Sequence, residues 1–137
     1  MITPEKMMSI LIEASPSFEN EWVDFQEEWK YEKEKAPYYL ILGDFARHVK
    51  KLYELKEEEL LNEIFRAVER LHTEGNSYVI EAATVGFLEA LQNISATQKG
   101  RASVYEKYLL PETEFWWKKV NKFWETGEVM VDDRNGT

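Results

Sequence analysis

Phe18, Trp22, Phe25 and Trp29 fall at i, i+4, i+7 and i+11, and apolar spacing of this kind runs along almost the whole chain. Side chains at those intervals share one face of an α-helix, whereas a half-buried strand needs strict alternation. No strand-like alternation of useful length occurs before the tail. The periodicity therefore predicts an all-α protein.

Start and stop signals divide the helices. Thr3-Pro4-Glu5 reads as a cap, a proline in the first turn and an acid at the positive end of the helix dipole. That helix is expected to stop near Ala14, ahead of Ser15-Pro16. Ser17 is expected to cap a second helix running to about Lys33. Pro37 opens a third, "YYLILGDFARHVKKLYEL". A fourth begins near Lys56, with Glu57, Glu58 and Glu59 in its first turn, and Gly75 is expected to end it as a left-handed cap. Asn76 or Ser77 caps a fifth. Residues 95–101 read as a polar loop and residues 102–110 as a short helix or turn. Pro111 opens the last helix and Thr126-Gly127 stops it.

The sum is a compact single-domain bundle of about six helices over residues 1–131, with a flexible tail at 132–137. At 137 residues, such a domain buries about two-thirds of its unfolded surface and needs no metal or disulfide to fold.

The fifth helix, "GNSYVIEAATVGFLEALQN" from residue 75 to 93, is apolar over most of its circumference. Val79, Ile80, Ala83, Phe87, Ala90 and Leu91 cover one wide face, which Ala82 and Gly86 extend. Gly86 costs about 1 kcal/mol relative to Ala in a helix interior, and close approach of a neighbouring helix is the expected reason for it. Glu81, Glu89 and Gln92 share the remaining edge with Val85. This is the pattern of a central helix with a narrow polar edge, which either faces solvent or forms a contact stripe.

Chemistry is sparse. The chain has no cysteine, which excludes a disulfide scaffold, a thiolate metal site and a cysteine nucleophile. Neither a phosphate-cradling glycine loop nor a nucleophile elbow is present. Asp44/His48 and Glu69/His72 are pairs on shared helix faces. A di-iron bundle site needs Glu-x-x-His on two helices and further glutamates on two others, and here the motif occurs once. Glu69 and His72 are expected to be surface and helix-end charges, with no metal and no cofactor. The tryptophans cluster as Trp22 and Trp29 on the second helix and Trp116, Trp117 and Trp124 on the last. Phe115, Trp116, Val120, Phe123 and Trp124 are the expected buried stripe of the last helix. Trp117 and Trp124 lie toward its rim, where aromatics favour protein contacts.

The formal net charge is −9 and is unevenly spread. Residues 1–36 carry Glu5, Glu13, Glu19, Glu21, Asp24, Glu27, Glu28, Glu32 and Glu34 against Lys6, Lys30, Lys33 and Lys35. An acidic surface repels nucleic acid and anionic lipid and attracts basic partners. No apolar run reaches the length of a membrane span and no leader-like start is visible, so a cytoplasmic protein is expected.

The string Glu69-Arg70-Leu71-His72-x-x-Gly75-Asn76-x-x-Val79-x-x-Ala82-Ala83-Thr84-Val85-Gly86-Phe87-Leu88-Glu89-x-Leu91-Gln92-Asn93 resembles a family of small, acidic, uncharacterised all-helical bacterial proteins. The segments "YYLILGDFARHV" and "YLLPETEFWWKKVNKFWETG" look like the same family's outer parts, so the likeness covers residues 38–127. Some such proteins resemble immunity proteins, which neutralise polymorphic toxins. The helix pair at 56–93 is similar to one HEAT-type repeat, with Ile80 where a basic residue is customary, so HEAT-like packing is expected in the middle of the bundle.

The resulting expectation is a non-enzymatic protein-binding protein, monomeric or homodimeric, whose partner is a basic toxin domain. Glu19, Glu21, Asp24, Glu27 and Glu28 are the first contact candidates, and Glu81, Glu89 and Gln92 the second. Two alternatives are a housekeeping scaffold that dimerises through its tryptophan helix and a metal-dependent enzyme built on Asp44, His48, Glu69 and His72.

Overall fold

The computed structural model describes residues 1–97 and 100–134. The predicted helical bundle is what forms. Its helices are α1 (Pro4–Ala14), α2 (Glu19–Glu28), α3 (Tyr38–Glu54), α4 (Glu58–Glu74), α5 (Ser77–Glu81), α6 (Glu89–Ser95) and α7 (Pro111–Thr126). A π-helical segment, Ala82–Leu88, joins α5 to α6, so these three make one continuous rod. Short 3-10 turns at Pro16–Phe18, Lys33–Lys35 and Ser103–Tyr108 link the others. Within the expected 95–101 loop, Ala96 pairs with Arg101 and Thr97 with Gly100 as a minimal antiparallel ladder; residues 98–99 lie outside the described ones. Among the described residues, no helix is long and apolar enough to cross a membrane.

The α5–π–α6 rod is the centre of the bundle. α3 lies along it, α7 rests on both the π segment and α4, and α1 packs on α4. A relay of rings crosses the core: Phe18 to Phe45 at 5.0 Å, Phe45 to Phe87 at 5.6 Å, Phe87 to Phe65 at 6.2 Å and Phe65 to Tyr108 at 5.9 Å. These spacings suit favourable offset and edge-on ring contacts.

Several boundaries form as the sequence predicts. Asn76 Oδ1 accepts the Val79 N–H at 2.9 Å, an N-cap for α5,. Gly127 ends α7 with φ 74, a conformation that favours glycine. A Cβ on Gly86 would sit 2.9 Å from Leu42 Cδ1 and 3.5 Å from the Tyr39 ring, which is the close approach expected there.

Other expectations change. The second helix stops at Glu28 instead of reaching Lys33. Gly75 is extended, with φ −73, and not a left-handed cap. It is needed for space, because a Cβ there would lie 2.4 Å from the Leu71 carbonyl oxygen and 2.6 Å from Val79 Cγ1. The chain at Gly75 also pairs with Ile2, whose N–H donates to the Glu74 carbonyl at 2.9 Å. Trp117 is not a rim residue. It is 1% exposed, and the inward face of α7 is Thr113, Trp117 and Val120. Phe115, Trp116, Phe123 and Trp124 are only partly buried. From the expected flexible tail, Asp132–Arg134 lie against α7: Arg134 donates to both Glu112 carboxylate oxygens and to Asp132, and Lys119 pairs with Asp133 at 2.8 Å. Residues 135–137 are outside the described ones.

Candidate interaction surface

α2 is docked by little. Phe25 is its buried side chain, with Trp22 and Trp29 half-buried against the core and the preceding 3-10 turn its main neighbour. The remaining circumference faces outward. Glu19, Glu21, Asp24, Glu27 and Glu28 are all exposed. Glu27 pairs with Lys30 at 2.5 Å; among the described residues the other four carboxylates have no ion-pair partner. Beside this face a groove of about 580 Å³ runs between α1, α2 and the following linker, with Trp22, Phe25, Trp29 and Tyr38 in its wall. Trp22 stacks on Phe25 at 5.6 Å, and the buried Trp29 Nε1 has no hydrogen-bond partner.

The second set of contact candidates lies on the central rod, and the π segment rearranges it. The Glu89 N–H bonds to the Thr84 carbonyl, five residues back. Such a wide turn winds fewer degrees per residue than an α-helix, so everything after it is rotated backward relative to a regular projection. Gln92 is thereby turned inward and is fully buried. Its Nε2 donates to the Trp117 carbonyl at 3.2 Å and its Oε1 has no partner. Gln92 is therefore not a surface contact residue, and Asn93 takes its place on the open edge after Glu81, Val85 and Glu89. Glu81 is exposed and accepts the Tyr39 hydroxyl at 3.1 Å. Glu89 is half-buried, and that burial raises its carboxyl above the usual range. Burial, followed by the Glu81 charge, also raises the Tyr39 phenol. Tyr39, Gly86, Glu89, Asn93 and Trp124 line a shallow cleft of about 220 Å³ along this edge.

Beneath the same rod is a polar chain that spacing did not reveal. His72, expected at a helix end as a surface cation, is 3% exposed. Its Nδ1 lies 3.0 Å from Thr113 Oγ1 and its Nε2 3.1 Å from Thr84 Oγ1. Glu69, expected on the surface, is partly buried and caps α7. It accepts the Glu112 N–H at 3.0 Å, the Thr113 N–H at 2.8 Å and the Thr113 hydroxyl at 2.8 Å. A neutral imidazole satisfies this chain in one direction. Thr113 donates to the Glu69 carboxylate, Nδ1–H donates to Thr113, and the single Thr84 hydroxyl proton is shared between Nε2 and the Ile80 carbonyl oxygen. Burial pushes the His72 pKa down to about 4, against the opposing pull of Glu69, the Val68 carbonyl and Glu112. The signal that was available is the pair of threonines, Thr84 and Thr113, at otherwise apolar core positions.

His48 has its own partners, Ser15 Oγ at 2.8 Å and Ser17 Oγ at 3.3 Å, while Asp44 pairs with Arg47. Asp44, His48, Glu69 and His72 are thus not brought together, and among the described residues no three histidine or carboxylate side chains gather as metal ligands.

Fold and surface together define an all-helical single-domain protein with an acidic, lightly docked helix on one side. Residues 8–125 match a family described as a domain of unknown function (DUF7674), and the chain belongs to that family. No curated protein and no solved structure matches it.

Proposed function

We propose that this chain is a non-enzymatic protein-binding protein that captures a basic partner through α2, with toxin neutralisation of the immunity-protein kind as its biological role. One observation carries the reading. α2 buries Phe25 fully and Trp22 and Trp29 in part, yet it presents Glu19, Glu21, Asp24 and Glu28 without ion-pair partners among the described residues. Asp24 and Glu28, at i and i+4, repel one another, and Glu19 and Glu21 in the first turn are offset only by the helix dipole,. A basic surface converts that repulsion into attraction and speeds encounter. The aromatic groove beside the helix supplies what a purely electrostatic contact lacks, a wall of Trp22, Trp29 and Tyr38 against which a partner side chain can be desolvated,. An acidic helix of this shape suits occlusion of a basic substrate groove, such as that of a nuclease toxin.

The test is affinity capture from the native host at low and high salt, with wild type and a Glu21→Lys/Asp24→Lys/Glu28→Lys variant. A dominant basic partner that is weakened by salt and lost by the variant supports the reading. Equal capture by both proteins sinks it.

A further inference from the structure

The cleft on the open edge of the central rod holds a carboxylate that the fold does not use. Glu89 is half-buried on α6, has no ion-pair or hydrogen-bond partner among the described residues, and is the one charged group lining the cleft. Burying a carboxylate without a donor costs stability, and a glutamine there would keep the shape at lower cost. The surroundings are pre-organised. The Tyr39 ring lies on Gly86, whose absent Cβ would be 3.5 Å from it, and its hydroxyl is tethered to Glu81. Trp124 lines the cleft from α7 and Asn93 from the end of α6. The π turn places Glu89 on this edge, two turns beyond Glu81. A volume of about 220 Å³ is below the roughly 300–1,000 Å³ of small-molecule sites and is on the scale of one long side chain.

We propose that this cleft receives a single arginine side chain from a basic segment of the partner, its guanidinium paired with Glu89 and lying against the Tyr39 ring. The assignment rests on the reading of the chain as a binder of a basic protein. Negative charge beside an aromatic ring selects a cation that can both stack and donate in a plane. Guanidinium does both, whereas an ammonium is a compact, strongly hydrated point charge. Glu81 adds a second negative charge on the same edge, and Asn93 offers an amide oxygen as a further acceptor.

The experiment needs no identified partner. The isotope-labelled protein is titrated with Ac-Gly-Arg-Gly-amide and with its lysine and citrulline counterparts, and the amide and indole resonances are followed. The expected result is saturable shifts confined to the 81–93 edge and the Trp124 indole. The arginine peptide should bind about tenfold more tightly than the neutral citrulline peptide, and Glu89→Gln should remove that advantage. Glu89→Gln sheds a desolvated charge and is expected to melt no lower than wild type, so lost binding is not lost folding. Equal response to arginine and citrulline, an unaltered Glu89→Gln titration, or shifts confined to α2 overturn the assignment. An equal response to lysine overturns its specificity for arginine. Such a failure leaves the binder reading standing, because salt-sensitive capture by α2 is measured separately.

Discussion

His72 Nε2 and Thr84 Oγ1 meet at 3.1 Å across the junction of α4 with the π segment. The contact joins the two halves of the helical hairpin at the centre of the bundle. Thr84 Oγ1 is also 3.0 Å from the Ile80 carbonyl oxygen. A threonine hydroxyl that competes for a backbone carbonyl loosens an α-helix, and a seven-residue π segment surrounds this one.

Acid should destabilise the protein through His72. Its pKa is about 4 in the fold against about 6.5 in an unfolded chain. The unfolded chain therefore binds more protons between those values. The contribution is fully present above pH 6.5 and is lost as pH falls toward 4, on the order of 3 kcal/mol in all. Urea denaturation at a series of pH values, for wild type and His72→Gln, isolates this from the carboxylates. The wild type should lose more stability than the variant across that window. Parallel curves would remove His72 as the cause.

Glu69 holds the first turn of α7. Two backbone N–H groups and one hydroxyl donate to its carboxylate, a charged cap at the positive end of a helix dipole. Glu69→Ala should cost about 1–2 kcal/mol in chemical denaturation, with the amides of Glu112 and Thr113 losing hydrogen-exchange protection first. An exposed acid elsewhere, such as Glu19→Ala, should change stability by less than about 0.5 kcal/mol.

The two close-packed glycines should respond differently. At Gly75 an added methyl meets a backbone oxygen at 2.4 Å, which cannot step aside, and Gly75→Ala should cost about 3 kcal/mol. At Gly86 it meets the end of the flexible Leu42 side chain, and the gain of about 1 kcal/mol in helix propensity offsets much of the clash. Thermal melts of the two variants should therefore separate clearly, with Gly75→Ala the lower.

Gln92 provides a sharp test of burial against display. As a surface contact it would tolerate Gln92→Glu. Fully buried beside the Trp117 carbonyl, an isosteric carboxylate should cost about 3 kcal/mol or more near neutral pH. An unchanged denaturation midpoint would return Gln92 to the surface.

Legibility followed locality. The Asn76 cap, the Gly127 stop and Pro111 at the start of α7 each depend on a few consecutive residues, and each formed as the sequence predicts. Gly86 was legible as a point of close approach because its cost in a helix demands a reason. Gly75 was legible as a necessary glycine, with the wrong reason. The acidic face of α2 was readable outright, because charge at helical spacing stays outside. Trp117 was misplaced because apolar residues cover more than half the circumference of α7, so its sequence does not mark which of them turn inward.

By itself the sequence determined the helices, most of their ends, the acidic face and the absence of thiol chemistry, since periodicity, caps and charge act over a turn or two. Tertiary structure decided the rest. Gln92 leaves its expected edge and Asn93 takes it, because the π turn shifts the phase of everything after it. His72 becomes an interior group because Thr84 and Thr113 arrive from 12 and 41 residues away, and Glu69 becomes a partly buried cap because α7 starts against it. Glu89 stands alone in its cleft because α3 and α7 close on either side of it. These are relations between distant segments, which no local pattern encodes.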